Sequence, residues 1–155
     1  MSLGFANPGE LLDAVGRETG PGEWFEIDQA RIEAFADATS DHQWIHLDAE
    51  RAAAGPFGTT VAHGYLTLSL LPALSAGLLQ VDGLGMAVNY GLDKVRFIQA
   101  VPSGSRVRVS AVITDAVETP IGIRLHQRVT VEIEGHDKPA LVAETIALLA
   151  PAPAP

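Results

Sequence analysis

Residues 63–81 read HGYLTLSLLPALSAGLLQV. From Tyr65 to about Leu79 this run is apolar nearly all round. A helix that is hydrophobic on every side is one that other structure wraps. The stretch from Tyr65 to Val81 is near the lower length limit for a membrane span and carries Thr67, Ser69, Pro72, Ser75, Gly77 and Gln80, so the expectation is a long buried helix rather than a membrane segment. Pro72 removes one backbone donor and predicts a kink or a ragged stretch. His63-Gly64 marks the start of the helix.

Downstream the character changes. Segments 88–90, 94–100, 106–116, 123–134 and 141–149 are rich in Val, Ile and Thr. The clearest alternation puts Leu125, Gln127, Val129, Val131 and Ile133 on one face and His126, Arg128, Thr130, Glu132 and Glu134 on the other. Residues 135–139, GHDKP, predict a hairpin connection. Asn89-Tyr90-Gly91 breaks an apolar strand with an amide and a glycine. That pattern fits a β-bulge, or an Asn89 side chain that meets a substrate.

Upstream, Asn7-Pro8-Gly9-Glu10 reads as a helix start with capping-box spacing, followed by an apolar stripe of Leu11, Leu12 and Val15. Residues 24–27 read as a short strand. Asp28 is the N-cap of a helix with Ile32, Phe35, Ala36 and Thr39 at helical spacing, and Asp48 caps another over 49–54. Helices, one central helix, then antiparallel strands make an α+β domain with the sheet curled around one helix. One domain over residues 1–150 is expected, with the PAPAP tail at 151–155 disordered or polyproline-like. A sheet that covers only one helix leaves strand edges open, which predicts a homodimer.

The 155 residues suffice for one core, and 47% of them are apolar. The net charge of −9 and the lack of a basic run argue against nucleic-acid binding. The N-terminus lacks the basic flank and apolar core of a signal peptide. The absence of cysteine removes thiolate and disulfide chemistry and fits a reducing cytoplasm.

Titratable groups concentrate in FADATSDHQWIHLD, residues 35–48. Asp41 and His46 are five apart; a helix would turn them about 500° and point them away from each other. Ser40 and Asp41 favour a turn, which permits convergence. A carboxylate beside an imidazole can hold and polarise one water, the equipment of general acid/base catalysis. The alternative is a turn aspartate and a satisfied polar histidine. His42 and His46 have the spacing of two metal ligands on one helix face, and Asp48 could be a third. No HExxH pattern surrounds them, so no metal is assigned. Gly64 either lets a substrate approach free first-turn N–H groups or lets the helix pack on the sheet, with His63 closing the loop before it. Arg96, Arg106, Arg108, Arg124 and Arg128 read as solvated strand charges, some within reach of phosphates, and Trp24 and Trp44 as packing residues.

The stretch from Phe35 to His46 resembles the hydratase signature of the MaoC-like dehydratases and (R)-specific enoyl-CoA hydratases, in its single-domain, NodN-like branch. GTTVAHGYL at 58–66 resembles that family's loop into its central helix, and KVRFIQAVPSG at 94–104 its following strand and turn. Ser40, Gln43 and Trp44 stand where the signature has glycine, asparagine and proline. The resemblance implies a hot-dog fold, a curved antiparallel sheet wrapped around a long central helix. It implies Asp41 and His46 as catalytic residues and Gly64 as the oxyanion donor; Gln43, at the asparagine position that supports the site geometry, and His63 and Asn89, from the reading of the residues, complete the candidate substrate-binding set. It implies hydration of trans-2-enoyl thioesters of CoA or acyl-carrier protein to (R)-3-hydroxyacyl thioesters, with no cofactor. A hot-dog thioesterase and a non-catalytic acyl-thioester-binding subunit are the alternatives.

Overall fold

The computed structural model describes residues 1–155. Strand β1 (Leu3–Phe5) leads to a 3-10 turn at Pro8–Asp13, then to the short strands β2 (Glu18–Thr19) and β3 (Phe25–Ile27). Helices α1 (Gln29–Thr39), α2 (Trp44–Leu47), α3 (Ala49–Ala53), α4 (Gly64–Ser69) and α5 (Leu71–Leu74) follow. The chain ends in strands β4 (Leu79–Val81), β5 (Leu84–Phe97), β6 (Ser105–Thr119), β7 (Gly122–Ile133) and β8 (Leu141–Pro151).

Both aspartate caps form as their position before an apolar run predicts. Asp28 accepts from Arg31 N–H at 2.8 Å and Asp48 from Arg51 N–H at 3.0 Å. The capping box at the N-terminus forms only in part. Asn7 makes no cap, Glu10 accepts from Ala6 N–H at 2.9 Å, and the helix is a 3-10 turn that buries Leu11 while Leu12 and Val15 stay exposed.

The main sheet runs β2-β6-β7-β8-β5, with β3 also paired to β6, and its long strands are antiparallel. Its inner face carries Val109, Val131 and Leu141 in one row and Ala111, Val129 and Ala143 in the next. Leu66, Leu70 and Leu74 of α4 and α5 pack onto this face, together with Ile32 of α1. Fully burying a side chain such as Leu141 or Ile32 contributes roughly 1.5–3 kcal/mol. The alternation expected along β7 is observed, with Leu125, Val129, Val131 and Ile133 buried. Three of the strand arginines find side-chain partners: Arg108 pairs with Glu132 across β6 and β7, Arg106 with Glu134, and Arg124 lies over Tyr90. The expected strands at 88–90 and 94–100 are one strand, β5. Its pairing with β8 slips between Asn89 and Gly91, the bulge that the amide and glycine predicted.

The long central helix is corrected to two short ones. Pro72 has no N–H for the Leu68 carbonyl, and its ring needs the space that carbonyl would occupy. The helix ends at Ser69, whose hydroxyl bonds back to Tyr65 O at 2.6 Å, and restarts at Leu71. After α5 the chain turns through Gly77 and enters β4, which pairs in parallel with β1. Beyond Ser75, Leu78 packs on the main core, while Leu79 and Val81 join a second, smaller core with Leu3, Phe5, Leu11, Ile113, Leu125 and Leu149.

Candidate active site

Helix α1 ends in a left-handed residue, Ser40, at φ 60° and ψ 25°. That conformation reverses the chain and is the one glycine adopts without cost. Asp41 heads the turn that follows, its Oδ1 accepting from Gln43 N–H at 3.4 Å. Gln43 precedes the single turn of α2, and its side chain makes no capping bond. Helix α2 turns His46 inward; Trp44, half-buried, packs against Gly55, where a Cβ would lie 3.1 Å from the indole, and under Arg51 at 4.2 Å. The irregular segment thus brings together the two residues a continuous helix would separate.

Five hydrogen bonds tie this segment to neighbouring structure. His46 Nδ1 meets Val61 O at 2.6 Å, and Val61 N–H donates to Ile45 O at 3.0 Å. Gln29 Nε2 donates to His46 O at 2.8 Å, and Thr60 Oγ1 donates to Gln29 Oε1 at 2.8 Å. His63 Nε2 meets Asp41 O at 3.0 Å. A carbonyl only accepts, so His46 carries its proton on Nδ1 and presents a lone pair at Nε2. The same reasoning puts the His63 proton on Nε2. The two rings stack with centroids 3.7 Å apart and planes 22° apart, and Phe35 tilts against His63 at 4.9 Å. Sequence reasoning missed Gln29 and Thr60, because a contact spanning 31 residues leaves no local pattern.

Burial holds His46 below the ordinary histidine range. The Val61 carbonyl and the Asp41 carboxylate oppose the shift, and the neighbouring His63 ring adds to it. The imidazole is thereby kept neutral, with the Nε2 lone pair free to accept a proton.

Asp41, His46 and His63 each offer a ligand atom within 4.8 Å of the other two. A zinc-type ion would need lone pairs that converge on one point at about 2.0–2.1 Å, and the two imidazole planes are stacked 22° apart. His42, which has metal-like spacing in the sequence, turns outward and meets Asp37 at 2.9 Å with both side chains exposed.

Gly64 opens α4. A Cβ there would lie 3.0 Å from the Phe97 ring of β5, so any side chain at this position would press on that ring. The N–H groups of Gly64 and Tyr65 have no partner in the chain, while those of Leu66 and Thr67 bond to His63 O. Both sequence readings of Gly64 are thus compatible. Asn89 lies apart from Asp41 and His46. It lines a cavity of about 510 Å³ between the two short helices and the inner sheet face, with Leu68, Leu71, Ser75, Gln127 and Thr145.

Residues 10–135 match the model of the MaoC like domain. The chain belongs to this family. Within it, the chain is 50% identical over 143 residues to 3-hydroxyacyl-thioester dehydratase Z of Mycobacterium tuberculosis, covering 92% of this chain and 95% of that protein. It is 46% identical to nodulation protein N of Rhizobium leguminosarum, covering 90% and 89%. Two solved structures share the hot-dog fold. A monoamine oxidase regulatory protein from Archaeoglobus superposes with a TM-score of 0.77 at 22% identity, covering 99% of both chains. The (R)-hydratase of A. caviae superposes with a TM-score of 0.71 at 24% identity, covering 87% of this chain and 96% of that one. The curved antiparallel sheet against a central helical segment is this family's fold.

Proposed function

We propose that the protein adds water to trans-2-enoyl thioesters, with enoyl-CoA as substrate, and gives the (R)-3-hydroxyacyl thioester; dehydration is the reverse. The observation that carries this reading is the convergence of Asp41 with a His46 whose tautomer is set by Val61. The relative named 3-hydroxyacyl-thioester dehydratase Z, alike over nearly its whole length, supports the reaction class. Asp41 and His46 Nε2 hold one water between them. With Asp41 orienting the water, its oxygen bonds to C3 as His46 Nε2 takes one of its protons, and His46 returns that proton to C2, so the two additions sum to one water. Negative charge gathers on the thioester oxygen, where the free N–H of Gly64 stabilises it. The thioester itself acidifies C2, so the residues present need no metal or redox cofactor, and turnover survives exhaustive chelation.

The working form is a homodimer in the cytoplasm. Strand β5 is a 14-residue edge with β8 as its one neighbour, and it exposes Met86, Val88, Tyr90 and Leu92. No helix is long and apolar enough to cross a membrane.

The test follows crotonyl-CoA through loss of the enoyl chromophore, with chiral analysis of the product and a free-thiol assay alongside. Hydration to the (R) product without thiol release is expected. Thiol release without hydration assigns the site to a thioesterase, and binding without either reaction assigns it to a carrier subunit.

A further inference from the structure

The residue left without a task by the proposed reaction is His63, although it is among the most buried polar side chains, at 3% exposure. It touches both members of the Asp41–His46 pair in different ways. Its Nε2 bonds to the backbone carbonyl of Asp41 at 3.0 Å, at the start of the catalytic turn. Its ring lies flat against the His46 ring, 3.7 Å away, and is backed by Phe35. His63 also immediately precedes Gly64, and its own carbonyl accepts from Leu66 and Thr67 N–H, so it is rigidly joined to α4.

We propose that His63 is a positioning residue: it clamps the Asp41 backbone and the His46 ring in one mutual geometry and couples that geometry to the helix start where the thioester oxygen is to sit. The role rests on the hydratase reading above. One residue joins three points: its side chain holds the Asp41 carbonyl and the His46 ring, and its backbone carbonyl accepts from the first turn of α4. An error of about 1 Å in such an arrangement can cost about 100-fold in rate.

The electrostatics agree with the geometry. The titratable groups acting on His46 are His63, from the segment before α4, and Asp41, from the turn before α2. His63 lowers the His46 pKa and Asp41 raises it. Burial, to which the stacked ring contributes, is the largest influence and also lowers it. Replacing His63 by a group with no ring and no titration therefore moves the acid limb of kcat/KM upward, toward the ordinary histidine value of about 6.5.

Two substitutions separate the functions of the side chain. His63→Gln keeps an amide N–H where Nε2 stands but loses the stack; His63→Phe keeps the stack but leaves the Asp41 carbonyl unpaired. With crotonyl-CoA, His63→Phe is expected to lower kcat about 100-fold with KM within about threefold. His63→Gln should lose less than about 10-fold and show the raised acid limb. A residue that served only the core would lower the melting temperature of both variants and leave the acid limb in place. A folded His63→Phe variant with kcat within twofold of the parent overturns the proposal, as does a glutamine variant no better than the phenylalanine one.

Nitrogen NMR of the histidines in the unaltered protein reads the clamp without turnover and without any variant that must fold. The proposal requires His46 protonated at Nδ1 and His63 at Nε2, and is overturned if His63 carries its proton at Nδ1 instead. Failure of the hydratase reading looks different: Asp41→Asn and His46→Gln would leave the observed activity intact, while the two tautomers would still report the clamp.

Discussion

Between Asp41 and His63, most polar groups find partners inside the chain, the exception being His63 Nδ1, which is buried without one. Five hydrogen bonds and a ring stack hold the segment, and His46, Thr60 and His63 are all buried. Along β5 the reverse holds. Tyr90 is 59% exposed, Met86 52% and Leu92 45%, and one side of the strand offers unpaired backbone groups. The relative orientation of Asp41 and His46 is held by bonds within one chain, whereas β5 is the edge for which a second copy is proposed.

The largest break in this comparison comes at the edge. Val88→Asp puts a charge on the open strand and is expected to abolish the dimer, halving the mass seen by light scattering while far-ultraviolet circular dichroism stays unchanged. A parent protein that is already monomeric at micromolar concentration removes the second-copy half of the comparison.

A core change costs stability whatever the assembly state. Leu141→Ala removes a fully buried side chain from the middle of the inner sheet face and should cost about 2–5 kcal/mol by denaturant unfolding. A smaller loss sharpens the contrast in the clamped turn. Gln29→Leu leaves the His46 carbonyl and the Thr60 hydroxyl without their partner and should cost about 1–3 kcal/mol. Its kcat should also fall, since the backbone of His46 is freed; a change in stability alone would show that Gln29 supports the fold and not the site. The smallest effect is expected at His42, whose bond to Asp37 is exposed: His42→Gln should change stability by less than about 0.5 kcal/mol and leave turnover near normal.

What the sequence reveals and what it conceals divide by range. The Asp28 and Asp48 caps, the alternation in β7 and the bulge at Asn89–Gly91 are each encoded within a few neighbouring residues, and each is legible. The pairing of β1 with β4 joins segments more than seventy residues apart, and an apolar run reads equally well as a helix or as helix, turn and strand. The convergence of Asp41 and His46 is legible only as permission, because Ser40 must adopt a left-handed conformation that serine seldom shows. Gly64 illustrates the middle case. The glycine is visible in the sequence, but the ring that a side chain there would meet, Phe97, lies on another element. The clamp through His63, Gln29 and Thr60 is wholly tertiary.

The central claim is that Asp41 and His46 act on one water. Crotonyl-CoA hydration by Asp41→Asn, His46→Gln and the double variant tests it, with thermal melts as the check on folding. Each single change should lower kcat by about 10²–10⁴-fold. Together they should lose much less than the product of the two, because groups acting as a unit are non-additive. Single losses that multiply, or a His46→Gln variant that turns over as fast as the parent, would contradict the shared water.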